Sequence, residues 1–575
     1  MALTGQQLLD YACGQFENGA YDAALEAFIL AYTKAYEQEW ILENIYNCYM
    51  AGNEAEFQKN YELWNKGEKP VYEKLTLDFI PYREGEYYIY DKEIQNFRGV
   101  FSIDSVKNVA RQEAFRQMEF SALALVFCWD WSNQPQILAE AGFHKIYAVC
   151  QDMNKCASFF KIPELAECAG NIMLFPDMEA FQYYFHEHTS VYLPKICIGT
   201  EEEKKKLLEI INKEHAYRLT PEGRNTDNVL LTIGIPTHDR GNLLLKRLEN
   251  LMQMPYDAEV EFAVSKNGMT LFQEEYRQAS EMTDARINYE GYDKELGMSG
   301  NWQNVVKISH GKFVMLVSDE DDVAISALEH YLHLLSIHEG LGAVRPRTVY
   351  QYHNLRDSTY YECGISAFFG SLFMNNYLSG TVYNREMFLR MGIEYYDEHY
   401  GDNEFYQMYP HLWWQVLMAF EGDYATDAVI CIKEGDSVMQ QERERYKEAG
   451  DAQAVNYETE NSELAVVSTY DSRISQFRGG VELLQGFNKI NDDMRIRALS
   501  HLGNKTVYLM TMVYEAYHYQ VNEFPVKVQE LVDEVLMVME RWGMDRETKK
   551  SILQSMQNFM PKQMPGDEIF QGVQF

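Results

Sequence analysis

Four consecutive carboxylates follow a short apolar run in the middle of the chain. The run Lys312–Val317 is preceded by a glycine and followed, after one serine, by Asp319, Glu320, Asp321 and Asp322. Its composition predicts a buried strand, so the carboxylates lie at a strand end. Because carboxylates this close repel one another, they need a cation, and their oxygens suit Mg²⁺ or Mn²⁺ together with substrate phosphates. An acidic start to the helix that follows explains the same residues without a metal.

Two earlier apolar runs also end in polar residues. Val229–Ile235 leads into Pro236–Asn242, and Glu259–Ser265 leads into the turn Lys266–Gly268. In open α/β sheets, ligands bind beyond the carboxyl ends of the strands. We therefore expect one crevice to gather these two segments and the four carboxylates.

The composition predicts a folded chain of several domains. Of the 575 residues, 46% are hydrophobic and 14% aromatic, which is ample for three or four packed cores. The formal net charge of -36 disfavours nucleic acid and anionic membranes as partners. The nine cysteines are scattered without a CxxC pair, as in reduced cytosolic proteins. No signal-like start or long apolar run occurs, so we expect a cytoplasmic protein without an integral membrane segment.

Residues 1–66 have helical periodicity. The stretch GAYDAALEAFILA, at positions 19–31, resembles a tetratricopeptide helix pair, and a weaker echo follows from Tyr46 to Phe57. Two such units bury their faces only against neighbours, so we interpret this segment as packing against the next domain. A groove for a partner protein is the alternative.

Residues 67–213 are expected to form a small α/β domain. Two helices are predicted at Gln134–Ala141 and Met178–His186. The predicted parallel strands are Ser121–Cys128, Lys145–Cys150, Asn171–Phe175 and Val191–Ile198. No phosphate-loop motif occurs here, which favours a structural or binding role. The polar stretch at 215–228 is the predicted linker.

Residues 229–432 are predicted to form a second domain of alternating strands and helices. Several motifs occur along it in the order seen in a known family. The segments TIGIPTHDRGNLLLKRLENL, AVSKNG and GMSGNWQNVVKISHGKFVMLVSDEDD resemble the nucleotide-sugar domain of family 2 glycosyltransferases. That family has the GT-A fold, which implies a mixed, mostly parallel sheet flanked by helices. With it we expect an N-terminal helical plus small α/β region and a C-terminal helical region.

The resemblance also implies roles for individual residues. The first turn, which meets nucleobase and ribose, matches Pro236, Thr237, His238, Asp239 and Arg240. The second strand end matches Lys266, Asn267 and Gly268, and a helical asparagine matches Asn301. The acidic DXD motif, expected at the ribose and the metal, matches Asp319, Glu320 and Asp321.

Two departures from the family pattern affect the donor. Lys266 stands where the family usually has aspartate, so it either reaches a phosphate or leaves the site. His238 and Asp239 replace an aromatic residue and an asparagine, so the nucleobase is not fixed by the sequence.

The acceptor side is expected after the acidic motif. The predicted acceptor-side strand is Ser379–Asn384. In the resembled family, the catalytic base is an acidic residue near the start of the helix that follows this strand, which points to Asp402 and Glu404, with Asp397 and Glu398 next in line. A helix cap and a first-turn acid are the alternative roles for this pair. His411 is either a third metal ligand beside Asp319 and Asp321 or a buried structural histidine. The aromatic residues nearby either stack on a sugar ring or fill the core: Tyr406, Tyr409, Trp413 and Trp414.

Residues 433–575 begin with a charged connection and return to helical periodicity. No motif that indicates catalysis or ligand binding occurs in this segment. We expect these helices to brace the catalytic domain or, with the N-terminal helices, to mediate homo-oligomer or partner contacts.

The resemblance thus implies a metal-dependent, inverting glycosyltransferase of hexosyltransferase type. It would move a sugar from a nucleotide-diphosphate sugar, with UDP expected, to a glycan or protein hydroxyl, as in bacterial surface glycan synthesis or protein glycosylation. A nucleotidyltransferase stays open, although the segment Pro236–Asn242 supplies only one glycine and one arginine for a phosphate loop. A non-catalytic scaffold that binds nucleotide sugars for a partner enzyme is the third possibility, favoured by the additional domains and by Lys266.

Overall fold

A computed structural model gives the architecture of the chain. It describes residues 3–64, 69–83, 85–103, 123–127, 145–165, 170–194, 196–255, 257–268, 271–338, 340–348, 358–373, 377–394, 402–433, 469–517 and 520–561. The chain divides into two compact units, one of residues 1–228 with 329–338 and one of residues 229–328 with 339–575. Within the described residues, no helix combines the length and the apolar character needed to cross a membrane. The four domain ranges expected from the sequence are a finer division and stay predictions.

Three helices open the first unit: α1 (Gly5–Glu17), α2 (Tyr21–Thr33) and α3 (Gln38–Leu63). Thr4 begins α1 with a capping box to Gln7, and Gly19 turns the chain into α2 with a φ of 74°. The helix pair expected at the start is therefore present. Where the weaker second repeat was expected, α3 instead runs unbroken through Gly52. The tetratricopeptide resemblance itself remains a prediction.

Two sheets complete the first unit. The antiparallel sheet β1 (Leu77–Arg83), β2 (Glu86–Asp91), β3 (Asn96–Ser102) was not predicted, because its tyrosine-rich strands lack a clear alternation of polar and apolar residues. The second sheet is parallel, as predicted, with the order β6-β5-β4-β7. Its strands are β4 (Leu123–Phe127), β5 (Lys145–Val149), β6 (Ile172–Phe175) and β7 (Ile196–Ile198).

Helices α4 (Met153–Ser158), α5 (Met178–Glu187) and α6 (Glu201–Arg218) accompany the parallel sheet. The helix predicted at Met178–His186 corresponds to α5, and the one predicted at Gln134–Ala141 lies outside the described residues. Short 3₁₀ helices lie at Tyr72–Lys74, Phe159–Lys161, Pro163–Leu165 and Thr226–Asn228.

The second unit contains a nine-stranded mixed sheet with the order β10-β9-β8-β11-β15-β13-β16-β12, and β14 pairs with β16. The first four strands in this order are parallel, so their carboxyl ends share one edge. Strand β15 is antiparallel to both of its neighbours. The strands are β8 (Leu231–Thr237), β9 (Val260–Lys266), β10 (Ile287–Gly291), β11 (Phe313–Leu316), β12 (Asp322–Val323), β13 (Leu341–Thr348), β14 (Thr359–Tyr361), β15 (Val382–Asn384) and β16 (Asp423–Lys433).

Helices connect strands of this sheet, and residues of the site described below lie on the first three of them. These helices are α7 (Gly241–Leu251), α8 (Gln273–Ser280), α9 (Gly297–Ile308), α10 (Ile325–Ile337) and α11 (Ile365–Ser371). After β15 come α12 (Arg385–Met387), a π-helical turn at Phe388–Glu394, α13 (Glu404–Met408) and α14 (Pro410–Met418). The C-terminal helices are α15 (Tyr470–Gly486), α16 (Asp492–Tyr517), α17 (Phe524–Arg541) and α18 (Arg546–Gln557).

One apolar core joins the central sheet to the C-terminal helices. It runs from Leu316 on β11 through Trp414 on α14 to Phe477 on α15 and Leu531 on α17, all at most 1% exposed. The C-terminal helices are therefore built into the fold of the second unit. The predicted fold class is confirmed as a mixed sheet flanked by helices, with a C-terminal helical region.

Candidate functional site

A cavity of about 560 Å³ opens at the carboxyl ends of β8, β9 and β11. The segments predicted to meet the nucleotide sugar, although far apart in sequence, all contribute to its wall. The residues that line the cavity are Pro236, Thr237, His238, Asp239, Arg240, Asn267, Glu295, Gly297, Met298, Asn301, Trp302, Ser318, Asp319 and Glu320.

The turn after β8 is fixed by a buried tyrosine on α8. The hydroxyl of Tyr276 lies 2.9 Å from Thr237 Oγ1 and accepts a 2.9 Å hydrogen bond from the backbone N–H of Arg240. Burial raises the pKa of Tyr276 to about 12, so it stays a neutral phenol at physiological pH. Asp239 takes a φ of 56°, and its Oδ1 accepts a 2.7 Å hydrogen bond from the N–H of Leu271. These hydrogen bonds fix the conformation of the turn, whose residues line the cavity.

The turn after β9 is joined to the first turn and to the start of α9. His238 Nδ1 lies 2.8 Å from the carbonyl oxygen of Asn267, and Asn267 Oδ1 accepts a 2.6 Å bond from the N–H of Leu296. Gly268 has a φ of 73°, and a Cβ there would lie 2.9 Å from Glu295 Cγ. Only glycine satisfies both the backbone and the close approach at this position.

Asn301 connects the two strand ends. Its Nδ2 donates to the carbonyl oxygen of Thr237 over 3.3 Å, and its Oδ1 accepts a 2.6 Å bond from Ser265 Oγ. The side chain is 4% exposed and lines the cavity from α9. Asn301 therefore sets the spacing between β8 and β9 where the cavity begins.

Lys266 is not among the residues that line the cavity. Side chains alternate along β9, so that Ser265 faces Asn301 while Lys266 lies on the other face. Its ammonium is 5.8 Å from the ring centroid of Tyr276, and the residue is 9% exposed. The structure thus describes Lys266 away from the cavity wall, and its contact with a nucleotide sugar stays a prediction.

Two arginines offset the charge of the acidic turn. Arg240 Nη1 donates to Asp319 Oδ1 over 3.1 Å and to Glu320 Oε2 over 2.7 Å, and Arg247 on α7 pairs with Asp322. The guanidinium groups thus offset part of the carboxylate charge, and the divalent cation expected from the sequence stays a prediction.

Burial disfavours the charged forms of Asp319 in the acidic turn and of Arg247 beside it. It raises the pKa of Asp319, which Arg240 and Thr237 act to lower. It also lowers the pKa of Arg247, which Asp321 and Asp319 act to raise. These opposing effects show that the turn holds closely spaced charges of both signs.

The predicted metal ligands line two adjoining cavities. Asp319 lines the first, whereas Asp321 and His411 line a second cavity of about 220 Å³. Among the described residues, no group of three or more His, Cys, Asp or Glu side chains is placed to hold a metal ion. The set Asp319, Asp321 and His411 therefore does not form a closed site by itself. The carboxylates still fit Mg²⁺ or Mn²⁺ bound jointly with phosphate oxygens.

The second cavity adjoins the first and shares four lining residues with it: Met298, Trp302, Ser318 and Glu320. Its other lining residues are Asp321, Tyr377, Leu378, Ser379, Met408, Tyr409, Pro410 and His411. Ser379 Oγ accepts a 2.8 Å bond from the N–H of Ser318, which joins the two walls. A molecule in the first cavity can therefore meet a molecule in the second beside the acidic turn.

The predicted base residues lie outside both cavities. Asp402 and Glu404 are exposed, and Asn403 between them caps α13 by accepting a 3.2 Å bond from the N–H of Tyr406. Asn403, and not Asp402, is thus the cap of α13. Glu404 is the first residue of that helix, which is the first-turn position considered for it. The neighbouring segment, residues 395–401, which includes the further candidates Asp397 and Glu398, lies outside the described residues.

The predicted aromatic wall is divided between two roles. Tyr406, Trp413 and Trp414 are at most 3% exposed and belong to the core, whereas Tyr409 lines the second cavity. Core packing explains the first three because α13 and α14 pack against the sheet and against α15. Tyr409 alone of the four stays available to a ligand.

Several site residues were missed by sequence reasoning. Glu295, Met298 and Ser318 carry no pattern of their own, because loops and helix starts place them. Arg247 had a usable signal, since it lies on the apolar face of α7 between Leu244 and Leu251. A buried arginine on such a face predicts a carboxylate partner.

Comparisons with known proteins give weak structural similarities. No family model matches the chain, and no curated protein sequence matches it. A crystal structure of S. aureus TarS 1–349 has a TM-score of 0.38 and 8% identity, covering 60% of this chain and 88% of that chain. The same protein in complex with UDP-GlcNAc gives 0.39 and 10%, with the same coverage. The mannosyltransferase PcManGT from Pyrobaculum calidifontis, in complex with GDP-Man and Mn²⁺, gives 0.32 and 12%, covering 59% and 83%.

Proposed function

We propose that the chain is a glycosyltransferase that moves a sugar from a nucleoside-diphosphate sugar to an acceptor hydroxyl. The observation that carries the proposal is the first cavity, where the three motifs of the sequence resemblance line one space. Its volume of about 560 Å³ falls within the range of small-molecule sites. The turn Pro236–Arg240, Asn267 and Asn301 would hold the nucleoside, with UDP as the expected donor nucleotide.

Asp319 and Asp321 are the proposed ligands for Mn²⁺ or Mg²⁺, with diphosphate oxygens completing the coordination. The bound ion would offset charge on the departing diphosphate. Arg240 and Arg247 keep the acidic turn in place before the donor arrives, because they offset its repulsion. His411 lines the second cavity together with Asp321 and remains the candidate further ligand.

The second cavity is the proposed acceptor site. In the transfer, the bond between the anomeric carbon and the diphosphate oxygen breaks, and a bond to the acceptor oxygen forms. The acceptor proton passes to a carboxylate base, for which Asp402 and Glu404 remain the proposal. A single displacement of this kind inverts the anomeric centre.

The test is a panel of nucleotide sugars incubated with Mn²⁺ and a mixture of acceptors. Release of nucleoside diphosphate with a new glycosidic bond supports the proposal, and NMR of the product shows whether the anomer is inverted. Pyrophosphate release would instead support nucleotidyl transfer, and binding without turnover would support a scaffold.

Asp321→Asn is expected to abolish turnover that depends on Mn²⁺, and Asp319→Asn to weaken donor binding as well. The exposed Asp493 on α16 provides a matched control, because Asp493→Asn makes the same chemical change away from the cavities. Unchanged activity in both site variants would overturn the assignment of the acidic turn.

A further inference from the structure

One face of the C-terminal helix α15 is hydrogen-bonded to the wall of the second cavity. Arg473 Nη1 donates to Tyr409 Oη over 2.6 Å, and Gln476 Nε2 lies 3.1 Å from Met408 Sδ. Ser472 Oγ lies 3.6 Å from the same sulfur. Both contacted residues, Met408 and Tyr409, line the second cavity. The C-terminal helices therefore form the layer directly behind that wall.

Arg473 holds the ring of Tyr409 in two ways. Besides the hydrogen bond to the hydroxyl, its guanidinium carbon lies 5.6 Å from the ring centroid, within the range of a cation–π contact. Gln476 Oε1 accepts a 3.0 Å bond from Arg473 Nη1, which orients the guanidinium. Arg473 is only 6% exposed, so it has little freedom to leave the ring. The orientation of Tyr409 is thus set by a residue outside the catalytic sheet.

The lining of the second cavity indicates what it can bind. Three aromatic residues, Trp302, Tyr377 and Tyr409, stand with the carboxylates of Glu320 and Asp321. Within the part of the chain that the structure describes, no lysine or arginine lines this cavity. Aromatic faces suit the C–H faces of a sugar ring, and carboxylates accept hydrogen bonds from its hydroxyls. Among the described residues, this cavity therefore offers no lysine or arginine that could pair with a phosphate or an acidic sugar of the acceptor.

We propose that the second cavity holds an uncharged sugar ring of the acceptor against Tyr409, and that Arg473 of helix α15 is the positioning residue that fixes Tyr409 for this contact. The inference rests on the proposed glycosyl transfer and adds the class of acceptor and a role for the C-terminal helices.

The acceptor class is tested with matched pairs of acceptors. Uncharged disaccharides such as cellobiose, lactose and chitobiose are compared with the same disaccharides carrying a phosphate or a uronic acid. We expect kcat/KM at least tenfold higher for the uncharged member of each active pair. Equal or better use of the anionic members overturns the inference about charge.

The positioning role is tested with Arg473→Met, Arg473→Lys and Tyr409→Phe. Loss of a charge-assisted hydrogen bond is expected to raise the acceptor KM about tenfold in Arg473→Met, while the donor KM stays unchanged. Arg473→Lys should recover part of this effect, and Tyr409→Phe, which keeps the ring and the fold, should raise the acceptor KM in the same direction. The effects of Arg473→Met and Tyr409→Phe should be less than additive, because both act on one contact.

Arg478 on the same helix is the matched control. It is about half exposed and pairs with Glu530 and Glu534 of α17, away from the cavity wall. Arg478→Met is expected to leave the acceptor KM unchanged. The positioning role is overturned if the acceptor KM rises as much in Arg478→Met as in Arg473→Met. It is also overturned if the acceptor KM is unchanged in both Arg473→Met and Tyr409→Phe.

Donor turnover separates the two proposals. Nucleoside diphosphate release in the absence of acceptor is measured for wild type and every variant. If wild type neither binds nor hydrolyses any nucleotide sugar, the proposed function fails. If donor turnover is normal but anionic acceptors are used equally well, or the acceptor KM is unchanged in Arg473→Met and Tyr409→Phe, only the inference about the second cavity fails.

Discussion

The buried guanidinium of Arg247 on α7 pairs with the carboxylate of Asp322 at the end of the acidic turn. Arg247 is 2% exposed, so its charge is offset mainly by the carboxylates around it. The arrangement places a buried positive charge beside the buried Asp319 and Asp321, while Asp322 itself stays partly exposed. It also makes the fold of the turn depend on one residue of helix α7, which lies earlier in the chain.

Replacing Arg247 by methionine is expected to destabilise the second unit by about 1 to 3 kcal/mol. Methionine fills much of the same volume but leaves the buried Asp319 and Asp321 without this counter-charge, while Asp322 is 38% exposed and regains water in part. Urea unfolding measures the change. The exposed pair of Arg390 with Glu421 is the control, since Arg390→Met removes a surface contact worth at most about 1 kcal/mol. An equal decrease of the free energy of unfolding in Arg247→Met and Arg390→Met would contradict the role assigned to Arg247.

The base is tested by Asp402→Asn and Glu404→Gln. Loss of a general base typically slows a reaction by about 10² to 10⁴. The variant that removes the base should therefore lose transfer by that order while keeping donor affinity, because neither residue lines the donor cavity. Transfer rate and donor affinity are measured separately. If neither variant slows transfer tenfold, the base is another carboxylate, with Asp397 and Glu398 next to be replaced.

Gly234→Ala is expected to destabilise the second unit by about 1 to 3 kcal/mol and to weaken donor binding. A Cβ on Gly234 would lie 2.2 Å from Val305 Cγ1 and 3.3 Å from Val314 Cγ1, so α9 has to move away from β8. Helix α9 carries Asn301 and Trp302 into the cavity, which couples the packing to the site. The double variant with Val305→Ala removes the closest clash and should recover stability. No recovery in the double variant would show that the contact with Val305 is not the cause.

Lys505 on α16 gives the second unit a dependence of stability on pH. Burial, together with the charges of Arg345 and Arg473, lowers the pKa of Lys505 to about 7. The unfolded chain therefore binds this proton more readily than the folded chain between about pH 7 and 10.5. The cost of the buried charge is fully present below pH 7 and falls as the pH rises through that window.

Lys505→Met should accordingly stabilise the protein more at pH 6 than at pH 9. The free energy of unfolding is measured for both proteins at the two pH values. Lys489→Met, at an exposed position, is the control and should show no such difference. A gain in Lys505→Met that is equal at both pH values would mean that the effect comes from packing and not from the charge.

The sequence predicted the strands of the donor side well, because β8, β9 and β11 are buried on both faces and read as continuous apolar runs. It also predicted that the polar residues after these strands would meet, since parallel strands end at one edge. Individual side chains were less predictable. The direction of Lys266 depends on which face of β9 it occupies, and that is settled by the packing of Ser265 against Asn301.

The acceptor side was predicted less completely. The roles of Trp413 and Tyr409 differ although they are four residues apart, because α14 buries one while the other lies at its start beside Arg473. The contact with Arg473 joins residues 64 positions apart, and no local pattern indicates it. Long-range packing of this kind is what sequence periodicity leaves out.

The order of strands in the central sheet also bears on how the site is made during translation. Asp322 and Val323 pair with Lys433 and Ile432, and β15 reaches β11 from Val382–Asn384. About 110 residues thus separate the acidic turn from the strand that closes it, which corresponds to roughly 5 to 20 s of synthesis. A nascent chain halted near residue 400 would carry all three donor motifs and still lack this neighbour of the turn. The proposed nucleotide-sugar site would then be completed late, only after β16 has left the ribosome.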